Sequence, residues 1–430
     1  MLKFEGMRED FLHYLWKYKK CNVLQFKTVN GESIKIVSVG QHNSDAGPDF
    51  FNAQLRIDGQ LWAGNVEIHI KSSDWYAHNH EIDPNYDNVI LHVVWQHDVE
   101  VFRKDNSHMP TLVLKNYVEK TAIENYKRLF NRKGQWINCE KDFATVDDFV
   151  LKNWLERLYF ERLEQKARHI EYLLNNSNND WEAVLFKMLA KNFGLKVNGE
   201  VFYSIANSVE FSKIRKLNKN LLSFEAFLFG QGGLLDADIE DVYFQDLKKE
   251  YLFIIQKFQI NNAGVLPLQF FRLRPNNFPT IRLSQLARLI SSHQNLFSKI
   301  IEMSNLEQFY ELFEVEVSDY WKSHFTFGKQ SRPSSKKISK PFIDLLMINT
   351  IIPLKFSYAK HQNKSIDAEI VALINEIPPE KNNIVAKYNS LKVISNSALQ
   401  SQALLQLKSN YCDKNDCLQC AVGNALLNRN

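Results

Sequence analysis

The sequence predicts an α/β module at the N-terminal end, residues 1–116, followed by a mainly α-helical region. Three observations carry this. Apolar and polar residues alternate with period two through SIKIVSV (Ser33–Val39) and through GNVEIHIK (Gly64–Lys71), as on strands with one buried face. VILHVVW (Val89–Trp95) is almost wholly apolar, as on a strand buried on both faces. From about Tyr117 the periodicity becomes helical.

Residues 5–19 read as an amphipathic helix. Phe11, Leu12, Leu15, Trp16 and Tyr18 share its apolar side, while Glu5, Glu9 and Asp10 are polar. Strands at Phe50–Ile57 and Gln60–Ile70 flank Asp58-Gly59, a hairpin turn signal because Gly accepts positive φ without steric cost. On the second strand Val66, Ile68 and Ile70 face one way. Glu67, His69 and Lys71 face the other, toward solvent or toward a site. Asp49 precedes the first strand, after the breaker pair Gly47-Pro48, and comes near Glu67 if the hairpin closes. Thr111–Leu114 adds a further strand.

The helical region runs from 117 to 410. Its segments include Thr121–Phe130, a long charged helix after Val146, Trp181–Phe193, Phe342–Phe356, Ile366–Ile377 and Val385–Leu407. Gly194–Glu200 and Pro378-Pro379 read as interruptions, and Gly230–Gly233 as a helix end or tight turn. The remaining residues, 411–430, hold a cysteine cluster.

A chain of 430 residues has room for two or three domains and a sizeable core. Its formal charge of +4 is too small to imply nucleic acid by itself. No apolar run reaches the length that spans a bilayer, and MLKFEGMREDF lacks the apolar stretch of a signal peptide. Five cysteines without a distributed framework make the cytoplasm the expected compartment, with no membrane partner.

Pro48-Asp49 followed by Glu67-x-His69 on a hydrophobic strand resembles the PD-(D/E)XK nuclease core. That resemblance implies a restriction-endonuclease-like α/β fold with Mg or Mn held by Asp49 and Glu67. Glu9 is the candidate third carboxylate from the first helix, with Glu5 in reserve and an ordinary solvated first turn as the alternative. The carbonyl of Ile68 is a further candidate ligand. His69 stands where the family has Lys, and Lys71, two residues on, is the candidate substitute. The His-for-Lys change leaves a catalytically inactive descendant open. DAGPDF, GNVEIH, the His-rich segment to LHVV, RPNNFPTIRLSQLA and the terminal cysteines also resemble a family of bacterial proteins of unknown function over most of the chain.

Seven of the twelve histidines lie between positions 42 and 108, which concentrates metal-binding and proton-transfer chemistry in the first module. His78-x-His80 followed by Asp83 reads as active-site support or as a separate metal set, since imidazole and carboxylate suit Zn, Mn or Fe. His92, within an apolar strand, reads as a core histidine.

In the helical region, FRLRPNNFPTIRLSQLARL sets Arg274 and Arg282 beside a helix beginning near Thr280, a pattern able to hold phosphate. QSRPSSKKISK (Gln330–Lys340) reads as a mobile basic loop, with Arg332, Lys336 and Lys337 as candidate contacts to a DNA or RNA backbone. Arginines paired with neighbouring acids are the alternative for the first segment. At the end of the chain, Cys412, Cys417 and Cys420 stand in C-x4-C-x2-C, and Cys139 is the natural fourth ligand. Zinc and a [4Fe–4S] cluster both suit such thiolates. Some PD-(D/E)XK nucleases resemble this arrangement, with one distant and three C-terminal cysteines on a cluster.

The leading expectation is metal-dependent hydrolysis of DNA, less readily RNA. A nucleic-acid-binding or repair-complex protein with a decayed site is the second. A small-molecule metal hydrolase using His78, His80 and Asp83 is the third.

Overall fold

The structure is a computed structural model describing residues 7–21, 25–43, 45–130 and 134–429. Glu5 lies outside the described residues. The chain forms two compact units, one of residues 1–154 with 408–430 and one of 155–407. The division falls at 154 rather than 116, and the cysteine segment belongs to the first unit rather than standing apart.

The first unit is built on a mixed sheet. Helix α1 (Glu9–Lys17) carries Glu9 and Asp10 in its first turn and Lys17 in its last, each favoured there by the helix dipole. It buries Phe11, Leu12, Tyr14, Leu15 and Trp16. Its Trp16 Nε1–H donates to the Val39 carbonyl at 3.1 Å. The strands are β1 (Phe26–Lys27), β2 (Ser33–Ser38), β3 (Gln41–His42), β4 (Phe50–Ile57), β5 (Gln60–Lys71), β6 (Val89–Gln96) and β7 (Thr111–Val113). Their order is β1-β2-β4-β5-β6-β7, with β3 paired to β4. Strands β2, β4 and β5 pair antiparallel, while β5, β6 and β7 run parallel.

The β4–β5 hairpin turns where the sequence predicts it. Asp58 and Gly59 both have positive φ, 46° and 86°, as a two-residue hairpin loop requires. Asp58 also accepts the Ser33 N–H at 2.7 Å, tying the turn to β2. Strand β6 is buried from Val89 to Trp95, as its apolar run predicts. Strand β5 departs from the expected alternation. Val66, Glu67, Ile68 and His69 are all buried, because β5 lies between β4 and β6 and both α1 and a short helix α2 (Asp74–Ala77) pack on it. The polar face of β5 is therefore not a solvent face.

Helix α3 (Lys120–Phe130) and the terminal helix Ala421–Leu427 pack on each other within the first unit. Helix α4 (Asp148–Asn175) begins in the first unit and continues into the second.

The second unit is helical except for one short hairpin among its described residues, His324–Thr326 with Lys329–Gln330. Helix α5 (Trp181–Phe193) matches its sequence reading. The expected interruption after it is only a corner. Leu195 takes φ 54° and helix α6 (Leu195–Asn207) begins at once. Val385–Leu407 is two helices, Asn383–Leu391 and Ala398–Gln406. Helical structure from Lys340 to His361 includes a π-helical turn at Met347–Ile351. By length and composition this stretch could cross a membrane, contrary to the sequence reading, but 72% of its apolar window is buried in the protein.

Gly64 sits where β5 meets the start of β6. A Cβ there would lie 2.6 Å from the Asn88 carbonyl and 2.5 Å from Ile90 Cγ2. Gly64→Ala is expected to force the strands apart and cost about 1–3 kcal/mol. Gly264, with nothing within 4 Å of its Cβ position, is the neutral control. Chemical denaturation followed by tryptophan fluorescence checks both; equal midpoints would contradict the packing described.

Candidate active site

The loop before β4 delivers Asp49. Asn43 holds it from inside: its Nδ2 donates to the carbonyls of Asp45, Ala46 and Pro48, and its Oδ1 accepts the Asp45 N–H. Gly47 takes φ 104°, a conformation that favours glycine. A bulge between Phe50 and Ala53, with Asn52 at φ 56°, bends β4 beside the site.

Asp49 and Glu67 are then locked to each other across β4 and β5. The Asp49 N–H donates to Glu67 Oε2 at 3.2 Å, and the Ile68 N–H donates to Asp49 Oδ2 at 2.9 Å. Glu67 is 5% exposed. Burial, and then the charge of Asp49, hold its carboxyl far above the usual carboxylate range. The first turn of α1 adds Glu9, whose carboxyl is also raised by burial and by Asp49. One turn further along α1, His13 Nε2 lies 3.3 Å from Asp49 Oδ2. Burial lowers the His13 pKa, but Asp49, Glu9 and Glu67 together leave it raised. His13 also meets His42 edge to face. Both histidines, with Arg8, Lys17 and Asp416, line a cleft of about 490 Å³.

The other side of Glu67 is nitrogen-rich. Glu67 Oε1 lies 3.4 Å from His69 Nε2 and 3.3 Å from His80 Nε2. His69 Nε2 is 3.2 Å from His78 Nδ1, and His69 Nδ1 is 2.9 Å from His92 Nε2. Burial, and then the neighbouring histidines, push His69 down to about 3. His80 stacks on Tyr86, with ring centroids 3.7 Å apart.

The β4–β5 hairpin, α1 and the turn after α2 thus place Asp49, Glu67, Glu9, His69, His78 and His80 in one neighbourhood. Lys71 is exposed at the end of β5, and its charge acts on Asp98. Asp83 is half-buried and caps a short turn by accepting the Asn85 N–H at 2.9 Å; its charge acts on His80, but the histidine group that forms is His69, His78 and His80. His13 and His92 belong to the site although the sequence reading did not place them there. Glu9 and His13 are four residues apart on α1, the spacing that puts two side chains on one helix face. His92 stands opposite Glu67 in the parallel register of β5 and β6, and its side chain reaches His69, a placement that periodicity alone does not give.

The expected nucleic-acid residues divide. Arg282 is buried, donates to Gln285 and Asn277, and lies 3.8 Å over the Phe342 ring. Lys336 is 4% exposed and donates to the carbonyls of Trp321, Lys322 and His324. Both therefore serve the interior of the second unit, because chain reversals there leave carbonyl and amide oxygens that need donors. Lys337 is exposed and pairs with Glu314 at 2.6 Å; Arg274 and Arg332 are exposed.

The cysteines converge within the first unit. Burial, and then the charges of Cys412, Cys420 and Cys417, drive the Cys139 thiol well up. Cys420 is pushed up to about 11, chiefly by burial. Asn138 Nδ2 lies 3.1 Å from Cys417 Sγ. A Cβ on Gly423 would lie 1.9 Å from the Cys417 carbonyl, so only glycine permits this close return of the chain. Cys21 stands apart, its thiol raised to about 11 by burial.

A mixed-sheet module carrying a carboxylate–histidine site, joined to a helical unit, is the class of protein these features define. The chain belongs to the family described as protein of unknown function (DUF2851), whose pattern matches residues 9–383. No curated protein and no solved structure matches it.

Asp49→Ala removes the acceptor of the Ile68 N–H and is expected to cost about 1–3 kcal/mol. Asp49→Asn keeps an acceptor and removes the repulsion felt by Glu67, so its thermal midpoint is expected at or above that of the native chain. Thermal denaturation of the two variants checks this; an equal loss in both would contradict the lock.

Proposed function

We propose that the chain is a metal-dependent hydrolase of phosphodiester bonds, with DNA as its substrate and RNA the less favoured alternative. The observation that carries the reading is the lock between Asp49 and Glu67, which holds two carboxylates side by side next to a cleft bearing Arg8, His13 and Lys17. The order of helix α1, antiparallel β2, β4 and β5, then a crossover to parallel β6, agrees with a restriction-endonuclease-like core.

The donor set fits a hard divalent ion such as Mg or Mn. Asp49 and Glu67 supply carboxylate oxygens, and Glu9 is near enough to be raised by the charge of Asp49. Burial, and then the charge of Asp49, raise Glu67, and a cation would offset both. Bound there, such an ion supplies neutralisation of phosphoryl charge and activation of water. His13 supplies a proton-carrying group at the cleft, and Arg8 and Lys17 supply positive charge for phosphate. His69, driven toward its neutral form, does not reproduce a lysine cation; its role is positional or metal-binding.

Cleavage of labelled single- and double-stranded DNA with Mg or Mn tests this reading, with Asp49→Asn and Glu67→Gln run in parallel. Each variant is expected to lose about 100-fold or more in rate while DNA binding is retained. Equal cleavage by all three proteins would sink the reading. Binding without cleavage by the native chain would favour a nucleic-acid-binding protein instead.

We also propose that Cys139, Cys412, Cys417 and Cys420 hold a [4Fe–4S] cluster or zinc. Three buried thiols and the half-buried Cys412, with Cys139 and Cys420 raised by burial and then by their neighbours, suit a bound cation better than free protons. The group would tie residues 412–420 to the chain around Cys139. Protein purified without oxygen is expected to carry iron with sulfide, or zinc, and Cys417→Ser to lose it with a lower thermal midpoint. Native protein that is folded but free of both metals would contradict this.

A further inference from the structure

We propose a second metal position, formed by His69, His78 and His80 beside Glu67 Oε1, that takes a divalent ion of the zinc class. The ligand nitrogens of the three histidines all lie within 4.8 Å of one another. The closest separations are 3.2 Å for His69 to His78, 3.4 Å for Glu67 to His69 and 3.3 Å for Glu67 to His80. Tetrahedral bonds of about 2.0–2.1 Å to nitrogen or oxygen require ligand–ligand edges of about 3.3–3.4 Å. These contacts match such edges.

The chain is shaped for this convergence. His69 comes from the buried end of β5. His78 and His80 flank Asn79, which takes φ 61°, a left-handed conformation that Asn tolerates better than most residues. The His78 and His80 N–H groups donate to the Asp74 and Trp75 carbonyls at 3.0 Å each, fixing the turn after α2. His92 accounts for the other nitrogen of His69, the support a metal-bound imidazole ordinarily has. When His69 Nε2 faces the ion, Nδ1–H donates to His92 Nε2. Tyr86 stacks behind His80. His78 is exposed, so an ion can reach the position from solvent on that side.

The donors decide the ion. Three imidazoles and one carboxylate favour Zn, Co, Ni, Mn or Fe over Mg, whose preference is for oxygen and water. This position is therefore chemically distinct from the oxygen-rich pair of Asp49 with Glu67 Oε2. Its existence does not depend on DNA being the substrate.

The experiment is titration of metal-stripped, full-length protein with Co(II) and with Zn(II), read by bound equivalents and by the visible spectrum of cobalt. Native protein is compared with His78→Ala, His80→Gln, His92→Gln and Asp49→Asn, with circular dichroism as the folding check. The cysteine group is common to all five and cancels in the comparison. His78→Ala, at an exposed position, is expected to remain folded and to bind one equivalent fewer, or at least about 100-fold more weakly, and His80→Gln likewise. His92→Gln is expected to weaken the same equivalent about 10–100-fold. Asp49→Asn is expected to keep it. Equal stoichiometry and affinity in native protein and His78→Ala overturns the proposal, as does native protein that takes no ion beyond one that cysteine substitution removes. Loss of DNA cleavage in Asp49→Asn with this equivalent retained separates the two sites. Absence of cleavage in the native chain, with the equivalent present, would count against the nuclease reading alone.

Discussion

A carboxylate buried beside a second carboxylate is harder to ionise. The first unit accepts this cost at Glu67, buried next to Asp49. It does so because backbone geometry leaves no alternative: each residue engages a backbone N–H of the partner strand, so neither can turn away without stranding a donor. The surrounding structure can be read as a response. Asn43 stiffens the loop that presents Asp49, α1 brings His13 to its open side, and the β5–β6 crossover brings His80 to Glu67.

Much of this could be read from the chain, because the informative features were local. The Asp58-Gly59 turn, the period-two pattern of β5 and the apolar run of β6 are each set by a few consecutive residues. Together they bring Asp49 toward Glu67. Parallel pairing of β5 with β6 is not local, so the apolar run places His92 in the core, where it lies, but does not bring it to His69. The same cause hid the burial of Glu67 and His69. Alternation identifies two faces of a strand but not what covers each, and here α1 and α2 cover the polar one.

The basic residues of the helical unit teach the complementary lesson. Arg282 draws attention because it stands beside a helix start, and Lys336 because it lies in a basic segment. Inside the unit their partners are not acids at all. Lys336 takes three carbonyl oxygens, and Arg282 takes side-chain amide oxygens and an aromatic face. A cation can thus satisfy the chain's own acceptors as readily as a phosphate, and linear sequence does not distinguish the two.

Glu67 divides the site between its two oxygens. Oε2 faces the Asp49 backbone on the carboxylate side, and Oε1 faces His69 and His80 on the imidazole side. Oxygen-rich and nitrogen-rich surroundings select different ions, so under the two metal proposals one carboxylate would serve two kinds of ion. An amide at position 67 would weaken both sides at once. Substitution of Asp49 acts on the first and substitution of His78 on the second. The two halves can therefore be taken apart experimentally even though one side chain joins them, and the order in which metal binding and hydrolysis fail would show which half performs the chemistry.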